Sequence, residues 1–372
     1  MEGYQLGVQS NQLKDFSVTI DGVKLTSAQV TSIKMRWEIS SFNVVGSIVF
    51  RDLSNLLEGL PIRGDNTIVM AMTDFDDVVS KQSFTVVDVG QIRTKSGDPA
   101  VILKFIDPIS LTAIRMFNPM SWKSENIQGI IDHPETLKPS LTGKKKDFCP
   151  PPPNYENFVM HLGVSFNVTM HWLAKKDNVL WFQSREAFVM QPFKELYGRS
   201  KKGDKFRYKT PNNAYRRRIY SYDVIFGKVL DINRTQPTGK VTSFDSYSKA
   251  PIIASESNSS SQDKISSTGN TPQTVTPTGE RHYYKSMTHV SSYTEHMWSK
   301  NSHKDVELVI LVPGQFATNI GDIVELDLVN YNKTEEPEYN INGLWLVTRI
   351  VDNITPPDFF QRITLSRAKF SK

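Results

Sequence analysis

The chain has 372 residues, more than one compact core usually contains, so its length predicts two or three domains. The net charge of +5 is too small to define a nucleic-acid-binding protein, and 38% hydrophobic residues exclude a chain that is disordered throughout. A single cysteine, Cys149, excludes an intramolecular disulfide framework and favours a reducing compartment. No run approaches the roughly 18 apolar residues of a membrane helix, and residues 1–14 lack a secretory signal pattern, so we expect a soluble protein.

The first hundred residues are predicted to form strands. Apolar and polar residues alternate in short segments that are separated by turn sequences such as Gly64-Asp65. These segments lie at 16–20, 44–50, 67–72, 84–89 and 100–105. One short helical turn is predicted at 53–60. Short strands at such regular spacing indicate an antiparallel barrel or sandwich.

The pattern changes after Pro108, and a mixed α/β domain is predicted from there to about residue 215. Ser124 is expected to cap a short helix over 127–131. A second helix is predicted to begin near Asn154, because an apolar stripe with helical spacing follows. The stripe consists of Tyr155, Phe158, Val159, Leu162 and Phe166. A hairpin is predicted next, over 168–182.

Strands are predicted again at 219–232, and then the composition changes. Ser, Thr, Asn, Gln and Pro dominate residues 255–278, which predicts a mobile insertion. An amphipathic helix is predicted over 281–300, followed by strands to the end of the chain. Trp345, in one of these strands, is expected to fill a barrel core.

The two ends of the chain have the same order of predicted elements. Each end has a strand, a loop, a Gly-Asp turn and three further strands. The Gly-Asp turns are Gly64-Asp65 and Gly321-Asp322. The second strand after each turn begins at a similar distance from the glycine: Phe84 lies 20 residues after Gly64, and Leu344 lies 23 residues after Gly321. Chance similarity between strand-rich segments is the alternative to a duplication. We predict two related barrels, the second of which is interrupted by the insertion and has its first strands near 219–245.

Several segments carry a resemblance to a known family. They are residues 52–65 (DLSNLLEGLPIRGD), 312–314 (VPG), 320–326 (IGDIVEL), 343–347 (GLWLV) and 363–367 (ITLSR). With the order of parts, they resemble the baseplate hub protein of contractile-tailed bacteriophages, a family related to the N-terminal part of type VI secretion spike proteins. The resemblance implies a mainly β (α+β) fold, with two tail-tube-like antiparallel β-barrels and an inserted mixed α/β domain.

The predicted domain boundaries follow from this reading. They are 1–108 for the first barrel, 109–215 for the insert, 216–247 for the first strands of the second barrel, 248–303 for the Ser/Thr-rich mobile insertion and helix, and 304–372 for the rest of the second barrel. This chain differs from the family in having the insertion at 255–278. The positions at which this insertion interrupts the strands of the second barrel therefore stay open.

The resemblance also implies a function. It implies a homotrimeric symmetry adaptor in the virion's tail baseplate, assembled in the host cytoplasm, which leaves a channel for genome passage. The implied partners are the tail tube protein, the central spike protein, neighbouring baseplate proteins and a tape measure protein, with no membrane, and with DNA only in transit. No enzyme activity, no cofactor and no catalytic, cofactor-binding or metal site is expected.

Histidine and cysteine residues could suggest a reactive or metal site. Cys149 follows the Lys144–Lys146 run, which could lower its pKa, but no motif supplies a base, so an exposed or half-buried loop thiol is expected. His282, His289, His296 and His303 recur every seven residues. On a helix that spacing is about 10.5 Å, too far to share one ion, so a solvated helix face is expected. His161 on a predicted helix and His171 on a predicted strand are expected to be structural.

Two other residue groups keep alternative functions open. Carboxylates cluster at Asp74, Asp76 and Asp77 and at Glu335, Glu336 and Glu338. Such clusters would suit a cell-wall hydrolase if one acid were buried. We expect instead that both clusters lie in exposed hairpin loops. Lysine and arginine form short runs at 144–146, 175–176, 201–202 and 216–218, and Tyr208, Tyr215 and Tyr220 lie near the last run. Charge combined with aromatic rings would suit a nucleic-acid-binding barrel. Docking of a partner or solvated loops are favoured for these runs.

Overall fold

The computed structural model describes most of the two strand-rich ends and of the middle region. The described residues are 11–51, 62, 64–93, 99–141, 144–151, 154–160, 162–200, 205–208, 217–226, 240–244, 251–255, 306–328 and 341–367. The predicted helical turn at 53–60, the helix at 281–300 and almost all of the predicted insertion lie outside these residues. The fold is mainly β, as predicted, and its main sheet curls into a half-barrel.

The N-terminal part consists of strands with alternating burial. They are β1 (Asp15–Ile20), β2 (Val23–Leu25), β3 (Val30–Glu38), β4 (Ser41–Arg51), β5 (Thr67–Thr73), β6 (Val79–Arg93) and β7 (Pro99–Ile106). In β3, Ile33, Met35 and Trp37 are buried, whereas Lys34 and Arg36 between them are exposed. This period of two is the pattern of a strand with one face on a core.

The middle part combines short helices with two small sheets. Its elements are α1 (Pro108–Arg115), β8 (Ser121–Glu125), α2 (Ile127–Ile131), a 3₁₀ turn (Lys138–Leu141), β9 (Lys145–Phe148), β10 (Tyr155–Val159), α3 (Phe166–Lys176), β11 (Leu180–Gln183), β12 (Ala187–Gln191) and α4 (Phe193–Tyr197). The short helix α2 lies where it was predicted, but Asn126 rather than Ser124 is its N-cap.

Two predictions in this part are wrong. The segment predicted as a helix from Asn154 contains strand β10, which pairs with β8 and places Phe158 opposite Trp122. The segment predicted as a strand from Val168 lies in helix α3, which starts after the N-cap Ser165 and buries Phe166, Met170 and Leu173 on one face. The apolar residues at 155–166 have helical spacing by coincidence, and the capping serine marks where the helix begins.

The C-terminal part returns to strands. They are β13 (Lys205–Tyr208), β14 (Arg218–Ile219), β15 (Ser221–Phe226), β16 (Lys240–Phe244), β17 (Pro251–Ser255), β18 (Val306–Pro313), β19 (Ile323–Asp327), β20 (Gly343–Thr355) and β21 (Asp358–Arg367). Strand β15 pairs with β18 in the main sheet, whereas β16 and β17 form a separate hairpin.

The two ends of the chain repeat the same strand arrangement. The first repeat has the pairing order β3-β4-β7-β6-β5, and the second has β15-β18-β21-β20-β19. An irregularity occurs at the same place in both, between Val86 and Asp88 in β6 and between Val347 and Arg349 in β20. A chance resemblance between unrelated strands would not reproduce both the order and the bulge, so the structure supports a duplication.

The turn before β5 and the turn before β19 also have the same hydrogen bonds. The Asp65 amide donates to the Val86 carbonyl at 2.8 Å, and the Gly321 amide donates to the Val347 carbonyl at 2.8 Å. Both donors have positive φ, +63° and +85°. Asp65 is therefore the equivalent of Gly321, one residue away from the alignment of Gly64 with Gly321 that the sequence suggests, because Asp also tolerates the left-handed region.

A single 14-stranded sheet contains both repeats. Residues Ile33–Glu38 of β3 pair antiparallel with Arg349–Ile354 of β20, and the main core includes buried side chains from both repeats and from β11, β12 and α4. A second core, around Trp181 and Phe188 of the middle part, also includes Phe42 of β4. The domain boundaries given above stay a prediction.

Candidate functional site at the junction of the two repeats

The junction is the place where β3 of the first repeat pairs with β20 of the second. The turn between β11 and β12, from the middle part, packs against it through Arg185. Three parts of the chain therefore meet here. Any role that depends on holding the two repeats at a fixed angle depends on these contacts.

A buried ion pair joins the middle part to the second repeat at the junction. Arg185 Nη2 donates to both carboxylate oxygens of Asp352 at 2.8 Å, and the two side chains are 5% and 0% exposed. Arg185 Nη1 donates to the Thr318 carbonyl at 2.7 Å, and Gln361 Nε2 donates to Asp352 at 2.8 Å. Burial raises the pKa of Asp352, while the adjacent guanidinium and the amide of Gln361 act in the opposite direction.

The same guanidinium contacts both repeats through aromatic rings. It lies 4.6 Å from the ring centre of Trp37 in β3 and 5.5 Å from that of Phe316 in the loop before β19. Cation–π contacts of this kind are stronger when the cation is desolvated, as it is here. Arg185 therefore holds the first repeat, the second repeat and the middle part together.

A second ion pair lies at one end of the β3–β20 pairing. Glu38 accepts hydrogen bonds from Arg349 at 2.9 Å, from Ser40 at 2.6 Å and from Arg36. Burial opposes ionisation of Glu38, but these hydrogen bonds and the charge of Arg349 outweigh it and lower its pKa to about 2. The pair fixes the register of the two strands at this end.

Asp74 was predicted to be an exposed hairpin residue, and this prediction is wrong. Its side chain is 1% exposed and accepts hydrogen bonds from the amides of Asp76 and Val78 at 2.9 Å and from the amide of Phe316 at 2.7 Å. The β5–β6 turn of the first repeat is thus bound to the second repeat. Asp77 is largely exposed and pairs with Lys14 at 2.6 Å, as a loop carboxylate would. The cluster at 335–338 lies outside the described residues.

Cys149 is not the exposed or half-buried thiol that was predicted. It is 8% exposed, and burial raises its pKa, so the thiolate is disfavoured. The nearby lysines contact other groups: Lys144 donates to Asp107 at 3.2 Å and to Gln183 at 2.9 Å, and Lys146 pairs with Asp132. The cysteine is part of the second core and has the properties of a packing residue.

The histidine and tryptophan predictions have different outcomes. His171 lies on α3 rather than on a strand, and its Nδ1 accepts a hydrogen bond from Trp181 Nε1 at 3.2 Å, which is a structural contact. Trp345 is 1% exposed in the main core, as predicted, and its Nε1 donates to the Ile341 carbonyl at 2.9 Å. His161 and the histidines at 282, 289, 296 and 303 lie outside the described residues.

The basic runs are partly described, and some of their cations contact aromatic rings. Lys176 lies 4.7 Å from the ring centre of Tyr155 and 5.4 Å from that of Trp172. Arg218 lies 5.8 Å from the ring centre of Tyr220. The run at 201–202, with Arg216 and Tyr215, lies outside the described residues. These rings are already in contact with side chains of the same chain, which does not favour stacking on nucleic-acid bases.

The cleft at the junction is small. It measures about 110 Å³ and is lined by residues that include Glu38, His171, Trp181 and Arg349. Ligand pockets usually measure about 300–1,000 Å³. In the part of the chain that the structure describes, no group of three His, Cys, Asp or Glu side chains could hold a metal ion, and no helix is long and apolar enough to cross a membrane.

The sequence matches no protein-family model and no curated protein sequence, but the fold matches solved structures over almost the whole chain. A tail protein from Neisseria meningitidis has a TM-score of 0.63 at 9% identity, with 95% of this chain and 96% of that one covered. The 43 kDa tail protein of prophage MuSo2 from Shewanella oneidensis has a TM-score of 0.59 at 11% identity, with 95% and 98% covered.

A third similar structure comes from Escherichia coli. It is described as a component of the type VI secretion system with structural similarity to the T4 bacteriophage tail proteins gp27 and gp5. It has a TM-score of 0.53 at 9% identity, with 95% of this chain and 78% of that one covered. The fold of this chain is therefore the fold of phage tail proteins and of a related type VI secretion component.

Proposed function

We propose that the protein is a structural component of a phage tail, a homotrimeric hub of the baseplate that joins the sixfold tail tube to a threefold spike. The observation that carries the proposal is the duplicated strand unit, whose two copies share one sheet. Three chains with two such units each present six similar units on one face, while the assembly as a whole keeps threefold symmetry. A protein with this arrangement can match a sixfold partner at one end and a threefold partner at the other.

The likeness of fold to phage tail proteins supports this role. In the proposed hub, the two β units form the ring around a channel for genome passage, and the 109–215 region packs outside it, where it can bind neighbouring baseplate proteins. The tail tube protein, the spike protein and a tape measure protein are the proposed partners. The proposed location is the virion's tail baseplate, with assembly in the host cytoplasm.

The role that we propose is structural rather than enzymatic. The two groups with the best claim to chemistry are used for packing and bonding: Cys149 has a raised pKa in an apolar core, and Asp74 accepts three backbone hydrogen bonds. A hydrolase would need an acid that is free to protonate a glycosidic oxygen. The test of this part is to incubate the purified protein with peptidoglycan, and clearing of the suspension would contradict it.

The mass in solution tests the hub directly. We expect light scattering to give about 127 kDa, which is three times the chain mass of 42.3 kDa. A protein that stays at 42.3 kDa at every concentration and also when mixed with its tube and spike proteins would contradict the proposal.

A further inference from the structure

We propose that neighbouring copies of this chain join through two strand edges, the second half of β6 and strand β15, in the same register that joins β3 to β20 within one chain. The inference rests on the proposed function, because it names the surface through which the hub assembles with itself. It follows from the duplication. Inside one chain, β3 of the first repeat pairs with β20 of the second. The equivalent edges, on β15 and β6, can make the same contact only between two chains.

The equivalence of the edges comes from the pairing partners. In the first repeat Ile48 of β4 lies opposite Ile33 of β3 and Leu103 of β7. In the second repeat Ile310 of β18 lies opposite Tyr222 of β15 and Ile363 of β21. Strand β15 is therefore the counterpart of β3, and Tyr222 is the counterpart of Ile33.

Strand β6 is the counterpart of β20. Asp88 follows the bulge in β6, and Arg349 follows the bulge in β20. Beyond the bulge, the edge of β20 over Arg349–Ile354 pairs with β3. The corresponding edge of β6, over residues 88–93, pairs with no strand in the part of the chain that the structure describes, since the part of β6 that pairs with β5 is Val79–Thr85. The outer edge of β15 is also unpaired among the described strands, because β15 pairs there only with β18.

Burial at equivalent positions shows the difference between a joined edge and an open one. Ile33 is 0% exposed and Ile350 is 1% exposed at the joined edges. Tyr222, the counterpart of Ile33, is 36% exposed, and Val89, the counterpart of Ile350, is only partly buried. A long open edge with exposed apolar side chains is a site of pairing with another chain unless something blocks it.

The equivalence fixes the register between copies. Arg93 lies opposite Tyr222 of the next copy, Ile92 opposite Asp223, Gln91 opposite Val224, Gly90 opposite Ile225 and Val89 opposite Phe226. In this register Ile92 and Ile225, which are 41% and 47% exposed in the single chain, become diagonal neighbours on one face. Diagonal cross-strand pairs of large apolar side chains stabilise antiparallel strands, so the pairing covers the most exposed apolar residue of each edge.

The pairing closes a ring with a wide centre. Within one chain the strands follow the path β15-β18-β21-β20-β3-β4-β7-β6, which has eight strands, and three such paths joined end to end give 24 strands. With strands about 4.8 Å apart and tilted by about 40°, this ring is roughly 48 Å across its backbone. Barrels of 16–18 strands already leave an aqueous channel, so a channel is expected here.

Engineered disulfides test the register. The variant I92C/D223C places two cysteines directly opposite each other, where Cα atoms in antiparallel strands lie about 4.5–5.5 Å apart, within the range for a disulfide. The matched control I92C/S221C has its second cysteine on the same strand and face but two residues away, roughly 7 Å along the strand. After mild oxidation we expect dimer and trimer bands from I92C/D223C on a non-reducing gel, reversed by reductant, and at least roughly tenfold less from the control.

A second variant covers the case in which the cysteines disturb folding. Ile225→Glu places a charge in the apolar diagonal contact, and we expect it to raise the dissociation constant of the trimer at least roughly tenfold without changing the circular dichroism spectrum. Val79→Glu, at an exposed position of β6 outside the proposed contact, is expected to leave the trimer unchanged.

The outcomes separate the inference from the function on which it rests. A 127 kDa trimer that gives no cross-link in I92C/D223C, or as much in the control, and that tolerates Ile225→Glu, would overturn the edge pairing and leave the hub standing. A chain that neither forms a trimer nor cross-links would overturn both.

Discussion

Replacing Arg185 should destabilise the protein more than replacing any exposed charged residue. Its guanidinium makes two hydrogen bonds to Asp352 and one to the Thr318 carbonyl, and it lies against the rings of Trp37 and Phe316. The carboxylate of Asp352 is 0% exposed in the native chain, and in Arg185→Ala its remaining side-chain partner among the described residues is Gln361. Removing one member of a buried ion pair costs about 3–5 kcal/mol, and we expect a loss in that range.

The loss in unfolding free energy depends on the Asp352 charge that stays buried without its partner, rather than on the attraction between Arg185 and Asp352. The double variant Arg185→Met with Asp352→Leu removes both charges and keeps similar volume, so it should cost clearly less than the sum of the two single variants. The assay is urea unfolding followed by tryptophan fluorescence and circular dichroism. Lys14→Ala, which breaks an ion pair whose side chains are 42% and 74% exposed, is the control and should cost less than about 1 kcal/mol.

Two results would contradict the role assigned to the Arg185–Asp352 pair. A loss below about 1 kcal/mol in Arg185→Ala would mean that the guanidinium is not the contact that holds the three parts together. Strict additivity in the double variant would mean that Arg185 and Asp352 do not interact in solution.

Three further predictions concern single residues. Because the pKa of Glu38 is about 2 in the folded chain against 4.5 ordinarily, its contribution to stability is present above pH 4.5 and is lost as the pH falls towards 2. The difference in unfolding free energy between wild type and Glu38→Gln should therefore shrink from about 3 kcal/mol at pH 7 towards zero near pH 2, and a constant difference would contradict this. Trp345→Ala should cost about 3–5 kcal/mol, and a loss under about 1 kcal/mol would place the ring at the surface. Cys149 should react with a thiol reagent at pH 7 only after unfolding, and a fast reaction in the native protein would show that the thiol is accessible.

The repeats could be predicted from the sequence because their signals are local. Alternating apolar residues and Gly-Asp turns predict strands one at a time, and their order can be compared between the two ends without knowing any contact. The exact alignment of the two turns could not be predicted in this way. The sequence shows which residues form the turn, but the positive-φ residue whose amide donates to the carbonyl before the bulge is Asp65 in one repeat and Gly321 in the other.

The junction could not be predicted from the sequence because its contacts are distant in the chain. Arg185 and Asp352 are 167 residues apart, and nothing in either local sequence indicates the other. Asp74 has the composition of an exposed hairpin, and only the position of Phe316 in the fold shows why it is buried. The predictions for the middle part were wrong for a different reason, because the apolar spacing is misleading in two consecutive segments. Residues 155–166 have helical spacing, but residues 155–159 form a strand that pairs with β8. Apolar residues alternate from Val168, but these residues lie in the helix that Ser165 caps.

In the proposed hub, two similar units in each of three chains build a ring with six similar units. Averaged electron micrographs of the purified 127 kDa species test this most directly, because they show symmetry as well as size. We expect end-on views of a ring with an open centre, sixfold in its inner wall and threefold in its outline. A compact trimer without an opening, or a ring with a different number of units, would contradict it.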